Sequence, residues 1–158
     1  MRYRILIVTL TLACSVNSPL PPEKPVADIV TTPDFMPKLW RMFEDAGLGS
    51  RRTEQAAFVV VRDGRLAMVR WPEPGDHDSA LWYGALPHGA LAIVHTHPNW
   101  EPLPSTIDVQ TAQRSGLPVY VVTATQISKT VGGSAQVVLN GDWNPIRIAC
   151  ASFAKAGR

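Results

Sequence analysis

Two of the four histidines in this 158-residue chain stand at His95 and His97, followed at once by Pro98. Ser105 and Asp108 come next, so that ten residues separate His97 from Asp108. Side chains on a β-strand alternate between faces with a period of two, which puts both imidazoles on one face, close enough to bind a single ion. Ser105 has the character of a helix N-cap, and Asp108, in the first turn of that helix, can present its carboxylate back towards the strand end. Two nitrogens and one oxygen make a three-ligand set that leaves zinc a fourth position for water. Zinc lowers the pKa of such a water from about 15.7 to about 7, which is what a hydrolase working near neutrality needs. The same ligands are compatible with iron, cobalt or manganese. Each piece also has a plain structural explanation: a lone strand histidine is more often a packing residue, and Ser105 with Asp108 three residues later has the pattern of a capping box. The joint arrangement of His-x-His-Pro and Ser-x-x-Asp favours the metal site.

That arrangement resembles the JAB/MPN metalloprotease family, also called JAMM, whose zinc signature is His-x-His-Pro, six residues, then Ser-x-x-Asp, with a Glu on an earlier element. The resemblance covers about residues 50 to 140. It implies that His95, His97 and Asp108 hold one Zn2+ and that Ser105 hydrogen-bonds the tetrahedral intermediate. The family's Glu stands at the start of a strand in the preceding hairpin, and Glu54, in Thr53-Glu54-Gln55-Ala56-Ala57-Phe58-Val59, occupies that place. The resemblance makes it general base and then general acid. Glu73, Asp76 and Asp78 also precede the motif, in a loop without matching context. The implied activity is hydrolysis of a peptide or isopeptide bond in a peptide or protein substrate. The alternative is a non-catalytic domain of the same fold serving as a metal-binding or interaction module. A metallo-β-lactamase-like site would need an Asp two residues beyond the second His, where Asn99 stands. An amidohydrolase barrel needs eight βα units, more than this chain can hold.

The elements that must position these residues follow from patterning. Between Asp34 and Ala46, Phe35, Met36, Leu39, Trp40, Met42 and Phe43 recur at spacings of three and four, with Gly47 following, which predicts an amphipathic helix whose apolar stripe is a core face. Ala56 to Arg62 and Arg65 to Trp71 are β-rich runs joined by Asp63-Gly64, a tight-hairpin pair. Pro72 to Pro87 reads as a loop, with a strand or helical turn around Ala80 to Tyr83. Ala90 to His95 reads as a buried strand and Ser105 to Ser115 as a helix that stops at Gly116. Pro118 to Ala124, Ser128 to Val131 and Ala135 to Leu139 read as strands, with Gly132-Gly133 as a turn. The expected fold is a single α/β (α+β) domain of the JAB/MPN type, a central mixed sheet flanked by helices.

Composition bounds what remains. Hydrophobic residues make up 46% and charged residues 18%, which suits one globular domain and excludes a long disordered chain. The formal charge of +2 comes from scattered basic residues, with only Arg51-Arg52 adjacent, and points away from a nucleic-acid partner. Cys14 and Cys150 form neither a disulfide framework nor a Cys-x-x-Cys site. Gly47-Leu48-Gly49 lacks the remaining glycines of a nucleotide loop. Residues 1–18 combine a cationic start with an apolar run from Ile5 to Ala13, too short to span a bilayer, and read as a secretory signal. Leu12-Ala13-Cys14-Ser15 resembles a bacterial lipobox, which implies lipidation of Cys14 and attachment to the membrane of the cell envelope, the alternative being simple signal cleavage that exports the domain unanchored. Residues 19–33, rich in proline, read as an extended tether, leaving 34–158 as the domain. Trp71, Trp82, Tyr83 and Trp100 are candidates for a substrate groove, with Trp71 assigned to packing. His77, between Asp76 and Asp78, reads as part of a solvated loop, and His88 has no evident partner.

Overall fold

Asp63 and Gly64 both adopt positive φ, 50° and 72°, and this two-residue turn sets the register of the sheet. It pairs Arg62 with Arg65 and joins β1 (Ala56–Arg62) to β2 (Arg65–Arg70) as an antiparallel hairpin. In this computed structural model, which describes residues 28–72, 80, 82–131 and 133–145, four further strands complete one sheet. They are β3 (Ala90–Thr96), β4 (Val119–Val122), β5 (Gln126–Val131) and β6 (Ser134–Asn140). The order is β2-β1-β3-β4-β5-β6. Only β3 and β4 run parallel; the other neighbours are antiparallel. The parallel pair needs a crossover, supplied by α2 (Thr106–Ser115), whereas α1 (Met36–Asp45) precedes the hairpin.

The two faces of the sheet carry separate apolar clusters. Ala57, Val59, Ala92, Val94 and Val122 pack with Leu39, Met42 and Phe43 of α1 and with Trp143. Phe58, Val60, Ile93 and Val119 pack with Ala112 of α2. The alternation along β1 and β3 is therefore not of apolar against polar but of one core against another, as expected of central strands covered on both sides. The expected mixed α/β sheet flanked by helices is the observed fold. Helix α1 starts two residues later than the pattern suggests, with Pro37 in its first turn, where a missing N–H costs nothing. The strand around Ser128 begins earlier, at Gln126. Ala80, Trp82 and Tyr83 carry neither helix nor strand.

The stretch assigned to the tether ends differently from expectation. Ile29–Thr31 forms a 3₁₀ turn capped by Asp28, and Val30 is fully buried among the residues of α1's cluster. Asp28 also accepts a 2.7 Å hydrogen bond from Lys129 Nζ and lies beside the buried Tyr120 hydroxyl, whose pKa burial and this carboxylate both push up. Prolines at 25 and 33 limit helix but leave room for a single turn between them, and Val30 supplies the apolar anchor. A chain begun at Asp34 should be about 2 kcal/mol or more less stable than one retaining Asp28 to Pro33, because Val30 leaves the core. Equal urea midpoints for the two chains would refute that role. The signal segment, Cys14, the rest of the tether, Glu73, Asp76, His77, Asp78 and Cys150 lie outside the described residues.

Candidate metal centre

Strand pairing brings together residues that are distant in sequence. Ala56 lies opposite His95 across β1 and β3, and beyond the strand Gln55 N donates to Thr96 Oγ1 (2.9 Å) while Thr96 N donates to the Gln55 carbonyl (2.9 Å). Glu54 therefore sits just before β1 rather than inside it, yet the period of two keeps it on the face shared by Ala56 and Phe58. His95 and His97 share the same face with Ile93, and their rings meet edge to face with centroids 4.6 Å apart. Helix α2 lies over that face and delivers Asp108.

Donor atoms of Glu54, His95 and His97 all lie within 4.8 Å of one another. Asp108 closes the group from the other side: Oδ1 is 2.9 Å from His95 Nε2 and Oδ2 is 3.6 Å from His97 Nε2. Glu54 stands slightly farther out, 3.7 Å from His95 Nδ1 and 3.9 Å from His97 Nε2. Two ligands of a tetrahedral zinc, each about 2.0–2.1 Å from the ion, stand roughly 3.3 Å apart. Asp108 approaches each ring more closely than Glu54 does, through a different oxygen to each, and both carboxylates stand within an ångström of that spacing.

His97 Nδ1 pairs with the Glu101 carbonyl at 2.8 Å. A carbonyl only accepts, so Nδ1 carries the proton and Nε2 is left with its lone pair facing the carboxylates. His95 Nε2 is buried and, despite the nearby Asp108 oxygen, makes no aligned hydrogen bond. An orphaned buried nitrogen is costly unless something else satisfies it, and a cation among these donors would do so. Charge points the same way. Burial works against a protonated His95, but the neighbouring carboxylates of Asp108 and Glu54 outweigh it and raise its pKa to about 9. Burial lowers that of His97, and the charge of His95 adds to the effect. Burial alone would push Asp108 up, yet His95 and two hydrogen bonds from Ser105 hold it well below the usual carboxylate range. The cluster is thus built to hold positive charge, and its donors fit a zinc-type ion.

Ser105 caps α2 with Asp108 as its capping-box partner. Asp108 N donates to Ser105 Oγ (3.2 Å), and Asp108 Oδ2 accepts from Ser105 N (2.6 Å) and Oγ (2.7 Å). Capping and metal binding are therefore compatible in one carboxylate, since Oδ2 is held by the cap while Oδ1 faces His95 Nε2. The single proton of the Ser105 hydroxyl points at Asp108 in this arrangement. Ser105→Ala should cost about 1 kcal/mol through the lost cap; an unchanged thermal midpoint would show that the box contributes nothing.

Asn99, which the spacing arguments pass over, clamps three loops. Its Nδ2 donates to the Leu48 carbonyl (2.9 Å), its Oδ1 accepts from Ala124 N (2.9 Å) and its own N–H donates to the Gly49 carbonyl (3.0 Å). Gly49, at φ 67°, passes so close that a Cβ there would stand 2.5 Å from Asn99 Oδ1. The clamp ties the loop leading into Glu54 to the chain just after His97. No sequence pattern marks it, nor the Glu101 carbonyl, because a backbone acceptor carries no residue signature. A cavity of about 300 Å³ adjoins the cluster, and a second cleft of about 160 Å³, lined by Arg52, Pro98 and Trp100, lies across Glu54 and Glu101. Trp71 and Trp82 pack against Phe58, tilted and edge to face, with ring centroids 5.2 and 5.1 Å away, and both Tyr83 and His88 are exposed.

Comparison with known families matches the chain to the prokaryotic homologs of the JAB domain over residues 43–137, more than half of its length. No curated protein matches it.

Proposed function

From the premise that the chain belongs to the family of prokaryotic homologs of the JAB domain, we propose that it is a zinc-dependent peptidase or isopeptidase that hydrolyses an amide bond. The observation that carries this reading is the convergence of Glu54 with His95 and His97, whose donor atoms lie within 4.8 Å of one another. His95, His97 and Asp108 would hold the ion, leaving Glu54 outside the ligand set. A bound zinc-type ion supplies Lewis acidity and hydroxide at neutral pH.

The remaining work falls to side chains. Glu54 accepts the proton of the attacking water and passes it to the leaving amine; among the described residues its half-buried carboxylate is approached only by the imidazoles. The Glu101 carbonyl keeps the His97 ring oriented through Nδ1. Ser105 stabilises the developing oxyanion by turning its hydroxyl away from Asp108, which retains the Ser105 N–H at 2.6 Å. The reading requires amide cleavage that a chelator abolishes and added zinc restores; chelator-insensitive cleavage would refute it.

A second reading, a metal-binding module without catalysis, is favoured by one observation. The Ser105 proton is already engaged with Asp108. Stoichiometric zinc with no cleavage of any peptide would select it.

A further inference from the structure

We propose that the cavity of about 300 Å³ beside the imidazoles is a subsite for an apolar side chain on the substrate residue flanking the scissile bond, an inference that rests on the peptidase reading. His95, His97 and Asp108 form one wall of the cavity. Its floor is apolar: Ile93 and Val119 are cross-strand partners on β3 and β4, and Ala56 comes from β1. Ile93 precedes His95 by two residues and Ala56 follows Glu54 by two, so this floor lies one pleat along the same face from the reacting groups. Ile107 and Thr111, one turn apart on α2, close the side.

The mouth of the cavity is apolar as well. Ile107 lies between the cap residue Ser105 and the ligand Asp108, yet is 73% exposed. A substrate side chain entering here would cover it. The charges around the cavity select against ionised side chains. Among the described residues its only ionisable groups are Glu54, Glu101, Asp108 and the two histidines. An acidic side chain meets three carboxylates, and the apolar floor offers a basic one no acceptor. Both would lose hydration without a partner. A leucine, methionine or phenylalanine side chain removes apolar surface from water on both sides. The second cleft meets the cavity at Glu54 and Glu101 and is lined by Arg52 and Trp100. A peptide crossing Glu54 would therefore put one flanking residue in the apolar cavity and the other half of the chain along the polar cleft.

The test is cleavage of a peptide library, varied at both positions flanking the scissile bond, by the zinc-loaded protein and by its Thr111→Phe and Ile107→Ser variants. Thr111→Phe fills the cavity, and Ile107→Ser changes an exposed position whose replacement leaves the core intact. The expected result is a preference of about tenfold or more for leucine, methionine or phenylalanine over glycine and aspartate at one flanking position. That ratio should shrink in Ile107→Ser and collapse towards one in Thr111→Phe. Cleavage without apolar preference, or a preference unchanged in both variants, overturns the subsite. Titration of the ¹⁵N-labelled protein with N-acetyl-leucine amide and N-acetyl-aspartate amide reads the cavity without turnover. Amide shifts confined to Ile93, Thr111 and Val119, and caused by the leucine compound alone, uphold the subsite even if no peptide is cut and the peptidase reading falls. Scattered shifts, or equal shifts from both compounds, overturn it.

Discussion

Glu54→Gln should retain stoichiometric zinc while lowering turnover by about 10²–10⁴-fold, the span over which a positioned acid–base group contributes. Glutamine keeps the size and one carbonyl oxygen of the side chain but cannot take a proton. Glu54 lies 3.7 and 3.9 Å from the imidazole nitrogens, farther than Asp108 at 2.9 and 3.6 Å, so the two carboxylates can be assigned different roles and the assignment tested. If Glu54 were instead the third ligand, the variant would lose metal together with activity. Metal content beside kcat for the same preparation decides between the two. Full activity with full zinc would remove Glu54 from the mechanism altogether.

The second large effect concerns the ligands. His97→Ala and Asp108→Asn should each weaken zinc binding by well over the roughly 10–100-fold that loss of an outer partner costs. Asparagine is the more informative change at 108, because it can still accept the Ser105 hydrogen bonds that cap α2. Loss of metal in this variant then reflects the missing charge rather than an unwound helix. Thermal unfolding offers a second measure, since a ligand at a hundred times its Kd stabilises the folded state by about 2.7 kcal/mol. The unaltered protein should therefore gain several degrees on adding zinc, and the variants should not. Wild-type zinc affinity in both would place the ion elsewhere.

Much of this site can be read from local patterns because its parts are locally built. His95 and His97 share a face through the period of a strand, and Ser105 and Asp108 meet through the first turn of a helix; neither needs knowledge of the fold. The hairpin is legible for the same reason, since Asp63-Gly64 dictates a turn within four residues. The capping box and a candidate ligand do not exclude each other, because a carboxylate has two oxygens: Oδ2 accepts from Ser105 while Oδ1 faces His95. The 3₁₀ turn at Ile29–Thr31 escaped the sequence because proline count describes what a segment cannot form, not where a single valine is buried.

By itself the sequence determined the donor types, their spacing within each element, and the strand, turn and helix that carry them. The tertiary structure decided what those elements do together. The pairing of Ala56 with His95 brings a carboxylate 41 residues upstream to the imidazoles, and the Asn99 clamp holds the loop that leads to it. The apolar cavity also depends on assembly, since three strands, a helix and the loops beside them line it. The physical reason is range. Backbone periodicity and capping act over a few residues, whereas register, burial and the convergence of charges exist only once the sheet has formed and α2 has closed over one face of it.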